Sequence, residues 1–549
     1  MRLMKIKNIL PVAAMAVASL GFSSCVGDLD VDNINPQQVP TANYDALLNK
    51  VYANMVLTGQ KGPDGSGDID DIDEGTSSLI RQLWNAQELP TDEAECIWGD
   101  AGIPEFNHAS WGSSHPMMKA LYYRLYMGIT YANNYLESTA GLSEDGLSTK
   151  RAEARFLRAL YYSYLMDLYG NVPLVLTVSR ESAPQVTRKQ LFDYVNGELR
   201  EVCGESAGAA EVLSDARVVS GTDDGYGRAN KAAAWTLLAR NYINSNVYAG
   251  TEHNDSAKYF ANKVIESHTY GLCKEATGSY SGFQKLFMAD NDVNGAQKEI
   301  ILPAIHDGWD TQTWGGCLFL IASTTNDKVL ADYPTGTSEQ WGGNHARKQF
   351  VQKFYPSSEP AQGTPDDLIN QSGADKRALF FTKGHTMSIT KETDFTKGFA
   401  YVKFLNRYAG NGSPKHTQFV DTDFPMLRYA EVLLTYAEAD ARENNGSCTS
   451  DGLAKIKEIR ERAGLDVSNL TSFTLDDICD EWSREFGFEG RRRMDLIRFG
   501  KFGGQSKYKW EWMGGTQDGT PFDAHFNLYA IPNSDINSNT TGLKQNPGF

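Results

Sequence analysis

FPMLRYAEVLLTYAEADAR, residues 424–442, opens a block that continues through LAKIKEIRERAG (453–464) and DEWSREFGFEGRRRMDLIRFGKF (480–502) to Gly503. Its spacing predicts three helices. Pro425 suits a first helical position, where a missing N–H costs nothing. Leu427, Ala430, Glu431, Leu434, Ala437 and Glu438 then recur at helical steps. Asn444, Asn445 and Gly446 end that helix and Gly464 ends the next, while Thr474 with Asp477 three residues on reads as a capping box. The oddity is charge among apolar residues: Arg428, Glu431, Glu438, Glu485, Glu489, Arg491, Arg492, Arg493, Asp495 and Arg498. Buried charges need partners, and Arg pairs bidentately with carboxylate. Interlocked Arg–Glu pairs are therefore expected. Arg428, Glu431, Glu489 and Arg491–Arg493 would tie these helices to the rest of the fold. A catalytic carboxylate pair fits less well, because Arg neighbours lower carboxylate pKa values.

Upstream, the chain is mostly helical in pattern. TANYDALLNKVYANMV (41–56) is amphipathic, residues 113–139 form a Tyr-rich helix, and Ser148–Thr149 read as the cap of the helix that runs to Gly170. Residues 228–244 and 256–267 supply two more, with Ala257, Phe260, Ala261, Val264 and Ile265 at i, i+3, i+4, i+7 and i+8. Small residues at crossings with aromatics beside them suggest degenerate tetratricopeptide-like helix pairs, although a 34-residue period is not kept. Trp235 and Trp482 fall inside helical patterns and read as core.

Residues 1–24 have the form of an export signal, with Arg2, Lys5 and Lys7 before a short apolar run from Ile9 to Leu20. GFSSC then makes Cys25 the candidate lipidated amino terminus, followed by an acidic tether to residue 40 that begins with Asp28, Asp30 and Asp32. Removing that leader takes away three positive and no negative charges, so the net charge moves from −17 to −20. Such acidity leaves no electrostatic footprint for nucleic acid. The six remaining cysteines contain no CxxC pair and are expected as free, buried thiols.

PMLRYAEVLLTYAEA (425–439) followed by WSREFGFEGRRRMDLIRFG (482–500) resembles the SusD/RagB family of outer-membrane nutrient-binding lipoproteins. EARFLRALYYSYLMDLYGNVPLV (153–175), GRANKAAAWTLLARNYI (227–243) and LYAIPNSDINSNTTGLKQNPGF (528–549, similar to the family's terminal strand and tail) extend the resemblance over almost the whole chain after the leader. It implies a mainly α fold: a right-handed stack of tetratricopeptide-like helix pairs with large loop insertions and little β-structure. Residues 41–549 would be one such domain, with an N-terminal part to about 330 and a C-terminal part from about 331. The resemblance also implies a non-catalytic lipoprotein on the cell surface, anchored in the outer membrane and delivering glycan to a TonB-dependent, SusC-like barrel. RagB-like relatives imply peptide cargo as the alternative. A surface glycoside hydrolase is the remaining reading, because two carboxylates suffice for that chemistry. No HExxH, Walker A or GxGxxG occurs, and GSYSG (278–282) puts Tyr280 where a nucleophilic Ser would stand.

The candidate ligand residues lie in Gly- and Asp-rich loops: CIWGDAG (96–102), SWGSS (110–114), HDGWDTQTWGG (306–316) and EQWGGN (339–344). Indole faces stack on the C–H faces of sugar rings, while carboxylates and amides bond their hydroxyls. Trp98 with Asp100, Trp309 with Asp310 and Trp314, and Trp341 fit such a platform. The loop TGQKGPDGSGDIDDIDEGTSS (58–78) adds Asp70, with Asp64 and Asp68 as further possibilities. No cofactor is required. The resemblance allows a structural calcium, for which Asp421 and Asp423 are the candidate ligands.

Overall fold

The structure, a computed structural model, describes residues 43–549; the leader, Cys25 and the acidic tether lie outside the described residues. Helices α1 (Tyr44–Ala53), α2 (Leu79–Glu88), α3 (Pro116–Ser138), α4 (Leu147–Leu168), α5 (Arg188–Val202), α6 (Lys231–Ile243) and α7 (Asn254–Glu266) come first. They are followed by α8 (Gly316–Ala322), α9 (Tyr429–Glu443), α10 (Ser450–Arg462), α11 (Leu475–Phe486) and α12 (Arg492–Arg498). From α3 to α7 each helix packs on the next; α7 then packs on α9, and α9 on α10. This is the expected stack. Its close crossings rest on fully buried small residues, Ala232, Ala233 and Ala234 on α6 and Ala257 and Ala261 on α7. The α4 helix begins two to three residues earlier than its sequence suggests. Gly146, at φ +73°, is the N-cap, so Ser148 and Thr149 lie inside the first turn.

The long excursion between α7 and α9 carries most of the strands, one of which pairs with a strand that follows α2. β1 (Ala94–Cys96) pairs antiparallel with β3 (Asn344–Ala346), and β2 (Ile300–Ala304) with β4 (Phe424–Arg428). Pro425 thus lies in a strand, not at a helix start, and α9 begins at Tyr429. Its register partner is Pro303, beside an irregularity in the ladder. Neither proline has an N–H to lose there, and a two-stranded ribbon with a bulge is where Pro is tolerated. The block also holds four helices, since Arg492–Arg498 forms α12. The Thr474–Asp477 capping box is present, and Gly464 leaves α10 at φ +80°. The chain end differs from the expected strand. It forms a short helix at Asn533–Ser538, and side-chain amides hold it: Gln545 exchanges two 2.7 Å hydrogen bonds with the Ile531 backbone.

The charges of the opening block form the expected network. Arg428 is fully buried and donates to Glu299 at 3.0 Å, Glu485 at 2.6 Å and Glu489 at 2.6 Å, with its guanidinium 3.7 Å from the Phe486 ring centre. Arg462 adds pairs to Glu299 and Glu485, Arg377 to Glu481 and Glu485, and Lys403 to Glu489. Glu431 receives Arg240 from α6 and Arg491, while Arg492 reaches Asp92 at 2.8 Å. These pairs fasten the C-terminal helices to the stack and to the segment after α2. Arg493 departs from the pattern: it lies 4.6 Å from the Tyr529 ring centre, and its buried Nε and Nη1 meet no acceptor. Burial opposes ionisation of Glu481, but Arg377, Arg484 and Arg460 pull its carboxyl down to about 2.

Trp482 is fully buried, donating to Glu438 at 2.7 Å, and Trp235 is half-buried. The six described cysteines are free; five are buried, and Cys448 is partly exposed. Among the described residues no helix is long and apolar enough to cross a membrane.

Candidate functional site

Four of the five loop tryptophans come together. Ring centres run from Trp98 to Trp341 at 6.5 Å and from Trp341 to Trp314 at 6.4 Å. The series continues to Phe419 at 5.2 Å, His416 at 5.3 Å and Trp309 at 6.0 Å. Neighbouring rings are tilted by 52° and 48° in the three-indole part, so successive faces turn against one another and the series, called the arc below, is not a flat wall. Trp309 at its end is 65% exposed; Trp98, Trp314 and Trp341 are half-buried. Trp111 is elsewhere: it is buried against Phe526 and Tyr529 and donates to the Leu528 carbonyl at 3.2 Å.

Secondary structure aims each ring. The β1–β3 ladder continues past β1 through Ile97 N–H to the Gly343 carbonyl at 3.0 Å, which brings Trp98 beside the segment ahead of β3. That segment caps α8. The N–H groups of Trp341, Gly342 and Gly343 donate to the carbonyls of Ala322, Thr325 and Ser323, groups that a helix end leaves without partners. Trp341 Nε1 also donates to Glu339 at 2.8 Å, and Glu339 accepts Gln418 with its other oxygen. Trp314 is held through its backbone N–H to Glu74 at 3.0 Å and through Nε1 to the Pro63 carbonyl at 3.1 Å. Phe319 on α8 backs Trp98 at 6.2 Å.

Polar groups flank the arc. Asp100 and Asp310 are exposed next to Trp98 and Trp309. Asp307 accepts the Trp309 and Asp310 N–H groups and pairs with Lys415. Arg81, on α2, lies 5.7 Å from the Trp98 ring centre and 4.9 Å from that of Phe319, and its buried Nε has no acceptor. Burial lowers its pKa against the pull of Asp73, Asp100 and Glu74. Sequence alone did not mark Arg81, which sits in an ordinary helical pattern, or Phe419 and His416. KHTQF (415–419) carries an aromatic pair in a polar loop, and that is the one signal pointing to the last two.

The remaining candidates have other partners. Asp68 pairs with the buried Arg124 through 2.5 and 3.0 Å contacts, so it anchors its loop to α3, while Asp64 and Asp70 are exposed. Asp421 accepts the Gly308 N–H at 2.8 Å, the Lys415 N–H at 2.9 Å and the Tyr408 hydroxyl at 3.3 Å. Asp423 accepts the His306 N–H at 2.7 Å and the Tyr226 hydroxyl; burial pushes its carboxyl up to about 8. Both carboxylates are spent on protein donors, and among the described residues no three metal-ligating side chains gather. The pair does not have the several free oxygens that a calcium cage needs.

The SusD family profile matches residues 241–549, and a profile described as "Starch-binding associating with outer membrane" matches residues 29–243. The starch-binding protein SusD of Bacteroides thetaiotaomicron is 36% identical, over 99% of both chains. The chain belongs to the SusD family. Another curated relative, a SusD-like protein of Bacteroides ovatus, is 24% identical over 78% of this chain and 76% of its own. Among solved structures, surface glycan-binding protein A from Bacteroides fluxus superposes with a TM-score of 0.64 at 19% identity, covering 93% of this chain and all of that one. A laminarin-binding SusD-like protein gives 0.61 at 20%, covering 92% and 99%. At those identities the likeness is one of fold. As a SusD-family member this chain is mainly helical, and its helical stack is the family's fold.

Proposed function

We propose that this SusD-family chain is a cell-surface lipoprotein that captures oligo- or polysaccharide on the Trp98–Trp341–Trp314–Phe419–His416–Trp309 arc and passes it, unchanged, to a TonB-dependent, SusC-like outer-membrane barrel. The arc carries the reading. Rings in series at 5.2–6.5 Å, with Trp309 exposed, Trp98, Trp341, Trp314 and His416 half-buried and Phe419 buried behind them, and with carboxylates and a guanidinium alongside, suit a chain of sugar rings. The tilt between successive indoles favours a ligand that curves over one that lies flat. Together with 36% identity to a protein named for starch binding, this makes an α-linked glucan the first ligand to try. Acylation at Cys25 would hold the protein at the outer membrane with its arc facing outward.

Calorimetric titration with linear gluco-oligosaccharides of increasing length tests it, with mixed peptides as the control. Affinity that rises with chain length and falls about tenfold or more in Trp341→Ala is the expected result, since truncating an aromatic hot spot typically costs ~2 kcal/mol or more and tenfold needs ~1.4 kcal/mol. Binding of peptides alone, or release of reducing sugar by the purified protein, would overturn it.

A further inference from the structure

Two glycines touch the arc from behind. An added Cβ at Gly343 would lie 2.2 Å from Trp98 Cε2, 2.4 Å from Cζ2 and 2.6 Å from Nε1. An added Cβ at Gly75, in the turn before α2, would lie 2.5 Å from Trp314 Cβ and 2.8 Å from its carbonyl carbon. Neither glycine has a positive φ, so the backbone conformation asks for glycine at neither place. The steric demand at Gly343 comes from the Trp98 ring, and at Gly75 from Trp314. The central ring, Trp341, is fixed in a different way, by its bonds to Glu339 and Ala322. Trp98 is therefore seated by contact, Trp341 by hydrogen bonds, and Trp314 by both.

We propose that Gly75 and Gly343 are positioning residues of the glycan platform: by leaving no side chain beneath Trp314 and Trp98, they set the tilt of these two rings against Trp341 and so the curvature of sugar chain that fits. This rests on the glycan-binding reading above. One methyl group at Gly343 forces the Trp98 ring itself to shift, and one at Gly75 forces the Trp314 main chain and Cβ to move and carry their indole with them, because a packed neighbour cannot absorb an overlap of that size. Trp98 would shift against Phe319 and Arg81, its neighbours at 6.2 and 5.7 Å.

The test compares Gly343→Ala and Gly75→Ala with Gly99→Ala, a control beside Trp98 whose Cβ would meet nothing within 4 Å. Circular dichroism in the indole bands reports geometry without ligand, since rings 6.4–6.5 Å apart couple strongly and the coupling follows their tilt. Trp98→Ala and Trp314→Ala assign the coupled signal. Calorimetry with a linear gluco-oligosaccharide reports affinity. The expected result is a changed coupled signal and a loss of about tenfold or more, ~1.4 kcal/mol, in both glycine variants and neither in Gly99→Ala. Gly343→Ala added to Trp98→Phe should cost less affinity than it does in the parent, because the smaller ring lacks Nε1 and its fused neighbours. Unaltered dichroism in Gly343→Ala and Gly75→Ala, or a cost in the Trp98→Phe background equal to that in the parent, overturns the proposal. A parent protein that binds no glycan overturns the functional reading instead, and the dichroism still decides whether the glycines set the rings.

Discussion

Arg428 and Glu489 meet through two parallel hydrogen bonds, Nη2 to Oε1 at 2.6 Å and Nε to Oε2 at 2.8 Å, in a place water does not reach. The pair joins the end of β4 to the turn between α11 and α12. Removing one member leaves the other charged and buried, which costs far more than the pair itself contributes. Arg428→Ala is expected to lower unfolding free energy by ~3–5 kcal/mol in urea titrations. Replacing both residues by apolar ones of similar size should cost less for this contact, although Glu299 then depends on Arg462, and Glu485 on Arg462 and Arg377. Glycan affinity of the folded fraction should stay within about twofold, because the network lies apart from the arc.

Acid and alkali should act on different carboxylates. Glu481 has a folded pKa near 2 against an ordinary 4.5, so its stabilisation is complete above about 4.5 and is lost as pH falls toward 2. Glu95 is the reverse case. Burial, with Glu392 and Glu511 close by, pushes it up to about 8 despite Arg347 at 3.0 Å. The folded state then holds a proton that the unfolded state releases above about 4.5, and stability falls as pH rises from there to 8. Glu95→Gln, which cannot ionise, should flatten that decline. Melting temperatures of the two proteins measured from pH 4.5 to 8 should diverge in favour of the variant as pH rises; parallel curves would contradict the assignment.

Asp421 ties two arc-bearing loops together, taking the Gly308 N–H with one oxygen and the Lys415 N–H with the other. Hydrogen bonds to a charged acceptor are worth ~1.5–3 kcal/mol each. Asp421→Ala is expected to free the loops that present Trp309 and His416. Amide exchange over residues 307–314 and 408–419 should quicken while the helical stack keeps its protection. Glycan affinity should drop about tenfold, in line with losing one such bond. Asp421→Asn, which keeps one acceptor, should fall between the two.

Local patterns explain why the scaffold could be read and much of the site could not. The helices announce themselves within a few turns: small residues along α6 and α7, the Thr474–Asp477 box, and Arg and Glu at helical spacing in numbers that only mutual pairing can bury. Pro425 misled because Leu427 and Ala430 do keep a helical step, while the strand that claims Phe424–Arg428 is β2, far back along the chain. Asp68 and Asp421 looked like free ligands because nothing nearby in sequence discloses Arg124 or the Gly308 N–H. The loop tryptophans stood out by composition, but their assembly depends on the long-range β1–β3 ladder and the capping of α8. Trp111, in a similar loop, went to the core instead.

The arc draws its rings from stretches around residues 98, 309–314, 341 and 416–419, each held by separate backbone contacts. No fragment of the chain owns the surface, so on the proposed function a partly folded molecule would have nothing with which to grip a polymer, and capture would certify complete folding. The same dispersal makes the surface adaptable by descent. A ring in one loop can be exchanged without touching the ion-pair network, so on the proposed function one inherited scaffold could serve more than one glycan.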